Sequence, residues 1–465
     1  MSVFLNPLRI IQLVIWAICW ISMMVNDYDY DSSMLYSNVS MLICLFLILS
    51  NSSLTSIKFI LTFLLYTVAF VPGIAWYLVG FKLYSYINFD HQLNDWVTAR
   101  TQFVYFTSMN IYTFVLLAKD KVEYKPDIII NQTRFPFYIF GVLCLICAYV
   151  TESGETLITS NYSQLMDQRS GFMTLAGVAF AAFWSDMYGK FRAYNNTNRY
   201  NFRQWIFILV STLAIIWFIL HARRTELIGF LAVLLIHQRM VLGRTPYKYI
   251  ALGCVFLILL YVIGYTRVGA LNEIDAVSLA SESFSATWDT HYTNTEFANM
   301  PSGIGNVAET LQTTVYHFDY LGNEFLNGWT IFSYPYKLIP SNLASALQLP
   351  SSEQFMYNRL ILEQYYYNGG TYLFSPAYGN FGIYGIVLAS IFLAFIVRWV
   401  QIAFYSNDYL KIVVATTIIF HAIKGIWYNP LPIIKAIFYN LVFLGGIALI
   451  FTKKNYEIKF KVKQS

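Results

Sequence analysis

Charge is what this sequence has least of. Only 12% of its 465 residues are Asp, Glu, Lys or Arg, against about 25% in an ordinary soluble domain. That scarcity excludes a soluble nucleic-acid binder, and no nucleic-acid partner is expected. Cysteine is scarce too. The five thiols, Cys19, Cys44, Cys144, Cys147 and Cys254, all stand in apolar runs. Cys144 and Cys147 have the spacing of a redox or zinc pair, but no second pair or histidine accompanies them, so packing is the expected role. No disulfide, metal site or cofactor is expected. No leader with a small-residue cleavage site is visible.

What is abundant is apolar and aromatic surface, 57% and 18% of residues, with a mean hydropathy of +0.51. The apolar runs are continuous rather than alternating, which argues against a barrel. Windows of about 19 residues predict spans near 6–25, 34–50, 57–81, 101–118, 135–151, 170–188, 205–221, 225–240, 248–265, 377–398, 409–425 and 433–451. The expected fold is therefore an all-α polytopic membrane protein of about twelve transmembrane helices. Basic residues gather in alternate connections, at Lys119–Arg134, Lys190–Arg203 and Arg239–Lys248, and in the tail after Lys453. The positive-inside rule makes that face, and both termini, cytoplasmic. The expected domains are a bundle over 1–265, an extracytoplasmic loop domain over 266–376, a second bundle over 377–451 and a basic tail over 452–465.

The loop is too long for a simple connection and too aromatic for disorder. Ile304, Val307, Leu311, Val315, Phe318 and Leu321 recur at three and four, which predicts an amphipathic helix. His317 lies one residue off that stripe and beside Asp319, at the edge between core and solvent, where a general base would have to stand. His291, in the polar run DTHYTNTE, is the rival base. A surface histidine without a role is the alternative for both.

Cations at the outer boundary form a second group. Arg223 and Arg224 cap a hairpin in HARRTELIG, Arg267 follows a span in GYTRVGA, and Lys424 stands near the last outer connection. Arginine's planar fork suits phosphate oxygens; the alternative is snorkelling toward headgroups. Lys82 and Arg100 are read only as snorkelling residues. The aromatics Trp329, Tyr366 and Tyr378, with the run EQYYYNGGTY, offer faces on which sugar rings stack, or else the core of a small domain.

Taken together, these residues resemble the Wzy class of polymerases, which join O-antigen or capsular repeat units carried on a polyprenyl lipid. The likeness rests on the many-span plan with one late, large outer loop and on the Arg-Arg-Thr hairpin at 223–225. It also rests on the order of the loop from Gly328 past Pro340, and on TyrGlyAsnPheGlyIleTyrGly at 378–385, similar to that family's Tyr-x-Asn-Phe-Gly-x-x-Gly. About half the chain, from Asn201 to Arg398, is covered. The sequence departs from the pattern at Pro376 and Ala377, where the family often has an acid, and at Ser341, where an arginine often follows the loop proline. Whatever those positions bind in the family must be held here by other residues, with Lys337 and Arg359 the candidates.

The resemblance implies transfer from a glycan on undecaprenyl pyrophosphate. A sugar hydroxyl of a second lipid-linked repeat unit attacks, and carrier pyrophosphate leaves. In that scheme His317 or His291 is the base. Arg223, Arg224, Arg267, Lys424 and Arg359 hold pyrophosphate, and Trp329, Tyr366 and Tyr378 hold sugar. The implied setting is a bacterial cytoplasmic membrane, with the bilayer, a chain-length regulator and a flippase as partners. An O-antigen ligase shares most of these features. A flippase or secondary transporter is the alternative from another class, although no repeat symmetry is found.

Overall fold

The computed structural model describes residues 7–52, 56–74, 77, 91–118, 142–143, 146, 209, 213, 224–242, 310–339, 346–350, 355–365, 371–405, 409–427, 430–431, 433–438, 440–442 and 446. Every regular element among them is helical. The long helices are α1 (Pro7–Val25), α2 (Tyr30–Ser50), α3 (Ile57–Ile74), α4 (His91–Leu116), α5 (Arg224–Leu242), α6 (Phe374–Tyr405) and α7 (Tyr409–Trp427). Pro7 opens α1, where a missing N–H costs nothing. Asp29 caps α2, its carboxylate accepting from the Ser32 N–H at 3.0 Å, which satisfies one orphan donor of the first turn.

Two compact units divide the chain. The first holds 1–121, 258–399 and 425–431; the second holds 122–257, 400–424 and 432–465. In the first, α2 packs on α1, α3 and α4. α4 is buried on nearly every side, and it takes many polar residues inside along with its apolar ones: Thr98, Thr101, Gln102, Thr107, Ser108, Asn110 and Thr113. Buried polar groups need partners, and several find them. Asn110 donates to Ser40 Oγ at 3.0 Å, Gln102 to the Ala69 carbonyl at 3.1 Å, and Ser108 shares hydrogen bonds with Tyr66 at 2.8 Å and Ser390 at 2.9 Å. In the second unit, α5 crosses α7 so closely that a Cβ added at Gly229 would collide with the Phe420 carbonyl.

The expected twelve spans are corrected by this structure. Among the described residues two helices, Tyr30–Ser50 and Phe374–Ala403, are long and apolar enough to cross a membrane. The reasons lie in the sequence of each helix. The apolar parts of α1 and α3, Arg9–Val25 and Ile57–Phe70, fall short of the roughly 20 residues a span requires, and α3 runs into Pro72. Its many polar residues lower the hydropathy of α4. Glu226, His237, Gln238 and Arg239 interrupt α5, and Lys411, His421 and Lys424 interrupt α7. The expectations at 135–151, 170–188, 205–221 and 248–265 lie almost wholly outside the described residues. The multi-pass topology goes with the count, and so does the placement of both termini in the cytoplasm and of the loop in the periplasm. What stands is an all-α architecture among the described residues.

One consequence of sequence positions the site. Gly382, inside α6, has φ +60° and ψ −144°, a region that residues with a Cβ avoid. The break is met by the segment before it. The N–H groups of Leu326 and Asn327 donate to the carbonyls of Gly379 and Asn380 at 3.0 and 3.1 Å, so backbone acceptors near the break are satisfied.

Candidate functional site

The predicted amphipathic helix is present over 310–315 and passes into a π-helical turn, Tyr316–Tyr320. Leu311, Val315 and Phe318 are buried as the spacing requires, whereas Leu321, beyond the turn, is exposed. Ile304 and Val307 lie outside the described residues. The turn widens the helix by one residue and closes with the Leu321 N–H on the Tyr316 carbonyl at 3.0 Å; such turns concentrate at functional sites.

His317 is on that turn, 9% exposed. Its Nδ1 is 2.6 Å from the Tyr365 hydroxyl and 3.3 Å from the Asn323 amide nitrogen. That amide nitrogen also donates to the His317 carbonyl at 3.0 Å, which fixes the amide's orientation. Both groups meeting Nδ1 therefore bring protons, and the ring proton belongs on Nε2. Burial pushes the imidazole below its usual range and the Tyr365 phenol above its own, so both are neutral near pH 7 and the phenol donates.

Asp319 does not serve His317. Its Oδ2 accepts from Arg100 Nε at 2.8 Å and from the Tyr378 hydroxyl at 2.6 Å. Arg100 also donates to the Tyr28 hydroxyl and lies over the rings of Tyr28 and Phe103, 4.7 and 5.2 Å from their centroids. Arg100, expected to snorkel, instead ties α4 to the π turn and to α6.

The segment 378–385 is a set of attachments. Tyr378 is 1% exposed and hydrogen-bonded to Asp319. The ring of Tyr357 packs against Gly379, where a Cβ would stand 2.5 Å from it. Asn380 donates to Thr330 Oγ1 and to the Pro376 carbonyl, both at 2.6 Å. Thr330 in turn receives Lys337 Nζ on its carbonyl at 3.0 Å. Thr330, Tyr334, Lys337, Met356, Tyr357 and Thr371 line a narrow cleft of about 10 Å³, room for roughly one water.

The other expected site residues are dispersed. Trp329 is 57% exposed, 5.7 Å from the ring of Phe355, and so presents a free aromatic face. Arg359 is exposed on the short helix Tyr357–Leu360. Lys424 stands in the last turn of α7, and Arg224 begins α5. The side chain of Arg224, together with His291, Arg223, Arg267, Tyr366, Cys144 and Cys147, lies outside the described residues. Among the described residues no three His, Cys, Asp or Glu side chains converge as metal ligands. Sequence reasoning missed Tyr365 as the partner of His317, although it names the tyrosine run. It missed the Arg100–Asp319 pair altogether, because 219 residues separate the two. No family model, curated protein or solved structure matches the chain.

Proposed function

We propose that the chain transfers a glycan from a polyprenyl-pyrophosphate donor to a sugar hydroxyl of a second lipid-linked repeat unit, extending a polysaccharide. The observation that carries this reading is the His317–Tyr365 pair, held 2.6 Å apart on elements that pack against the Tyr-x-Asn-Phe-Gly segment. The acceptor hydroxyl gives its proton to the Tyr365 oxygen as the phenol passes its own to His317 Nδ1. The acceptor oxygen bonds to the anomeric carbon, and the bond to pyrophosphate breaks with its electron pair leaving on phosphate. A neutral imidazole is the protonation state such a base requires. Tyr365 is the more exposed member of the pair and is the one that meets substrate. Charge growing on the leaving pyrophosphate calls for positioned cations. Arg359 and Arg267 belong to the same compact unit as His317, and Arg359 is the first to test.

The test is incubation of the purified chain with lipid-linked repeat unit, followed by gel separation of products. Parent protein is expected to make a ladder. H317Q should lower turnover by roughly 10²- to 10⁴-fold, the usual contribution of a general base, and Y365F by at least about tenfold. H317Q turnover within about twofold of the parent, at equal folded protein, would overturn the mechanism. A single product on an unrelated acceptor would make the enzyme a ligase.

A further inference from the structure

Five rings with polar tips form a continuous row beside the π turn. Tyr316 and Tyr320 stand four residues apart on that turn, and their rings stack with centroids 5.4 Å apart and planes 18° from parallel. The stack is continued at both ends. Tyr316 meets Tyr365 edge-on at 5.8 Å, and Tyr365 is the phenol on His317. Tyr320 lies 6.2 Å from Trp96 of α4, and Trp96 meets Tyr28 edge-on at 6.3 Å. Tyr320 is 54% exposed and the other four are partly exposed. Beyond Tyr28 comes the Arg100 guanidinium, which lies over its ring and is paired with Asp319. That pair also reaches solvent and sets a donor beside an acceptor.

The composition of the row selects its ligand. Every ring in it carries a hydroxyl or an N–H, so each joins apolar area to a polar handle. A sugar is built the same way, with C–H faces and hydroxyl edges, and the Arg100–Asp319 pair can both give and take hydrogen bonds from hydroxyls. The exposed stripe on α6 is of another kind: Leu388, Phe392 and Phe395 have no polar atom to offer and suit an apolar partner. We propose that the face made by Tyr316, Tyr320 and Trp96 binds an oligosaccharide, one end reaching Tyr365 and the other Arg100 and Asp319. None of these three rings is needed to fill the interior, as their exposure shows. On the transferase reading, on which this last step rests, the Tyr365 end carries the acceptor hydroxyl and the rest of the row holds the sugars that follow it.

Hydroxyl-radical footprinting of the purified full-length chain, read residue by residue by mass spectrometry, tests the face without turnover. The probe is the oligosaccharide fraction released from the surface polysaccharide of the producing cells. It is expected to slow oxidation of Tyr320 and Trp96 at least about threefold relative to Tyr384 of α6, which is 77% exposed and outside the row. Calorimetry with the same fraction should show Y320A and W96A each about three- to tenfold weaker than the parent, the range that ring stacking contributes, with Y320F, which keeps the ring, closer to the parent than Y320A. Absence of protection at Tyr320 overturns the proposal. Greater protection of Tyr320 by phosphatidylcholine vesicles than by the oligosaccharides overturns it as well, since the face would then be a lipid contact. Protection without a product ladder from lipid-linked repeat unit upholds the face and removes the transferase reading; a ladder without protection does the reverse. The footprint of parent protein decides the matter even if a variant fails to fold.

Discussion

Replacing Asp319 by Asn removes one charge and almost no volume, and it isolates the electrostatic part of the link between α4, the π turn and α6. The side chains of Arg100 and Asp319 are 20% and 15% exposed, between the surface and the interior. Exposed pairs contribute about 0–1 kcal/mol, whereas breaking a fully buried pair costs about 3–5 kcal/mol, because an uncompensated charge is left behind. For this pair the expected cost of D319N is about 2–3 kcal/mol. Asn can keep an oxygen near the Tyr378 hydroxyl, so the hydrogen bond at 2.6 Å is largely preserved, and D319A should cost about 1 kcal/mol more. R100M strands the carboxylate instead and should cost a similar 2–3 kcal/mol. In the double variant R100M/D319N neither charge remains, so the two costs should not add: a coupling of about 1.5–2 kcal/mol is expected. Urea unfolding of the four proteins, followed by tryptophan fluorescence, measures the cycle. Single costs below about 0.5 kcal/mol, or additivity within that margin, would refute the claim that this pair fastens the three elements.

Three further outcomes are expected. Gly382→Ala should destabilise by about 1–3 kcal/mol from its φ alone, and by more because its Cβ would meet Phe325 at 3.0 Å; adding F325L should recover only the contact part in the same unfolding assay. Lys337 should make stability rise with pH. Below about pH 8 it is charged both folded and unfolded, and the folded chain bears the desolvation. Between about 8 and 10.5 the unfolded chain holds more protons, so the cost, on the order of 1–2 kcal/mol, is relieved as pH rises. Parent and K337M compared at pH 7 and pH 10 read it directly, and a flat difference would exclude it. Trp329→Ala should change stability by under about 1 kcal/mol, since the ring is mostly exposed, while lowering product formation if that face stacks on sugar; an unchanged product ladder would remove it from the site.

Helices stand where apolar runs do, as α1, α2, α3, α6 and α7 illustrate, because burial drives both. Counting them as spans fails for a separate reason. Hydropathy windows average over a helix, and α4 keeps its polar residues inside, where Ser40, Ala69 and Tyr66 offer hydrogen bonds to it or to its neighbours. Periodicity over Leu311, Val315 and Phe318 reveals the helix that carries His317. It does not reveal the π turn, since widening by one residue depends on how the helix meets its neighbours. Asp319 illustrates the same limit: its carboxylate is claimed by Arg100, 219 residues away, which no local pattern announces. The Tyr-x-Asn-Phe-Gly segment is legible as a motif. Its work as an attachment for Thr330, Asp319 and Leu326 emerges only in three dimensions.

The π turn at Tyr316–Tyr320 amounts to one residue more than a regular helix would hold. A π turn takes that residue into one wider turn, so the chain on either side keeps nearly the phase it would have without it. Deleting a single residue within the turn would leave a regular helix, with the segment leading to Asn323 close to its old place. What changes is the turn itself, where Asp319 reaches Arg100 and His317 meets Tyr365. The turn is thus a local detour that serves its own side chains, and Tyr320, whose ring is exposed, is the member the fold leaves freest to vary. In a chain with so little charge, the meeting of Asp319 and Arg100 across 219 residues hangs on one widened turn.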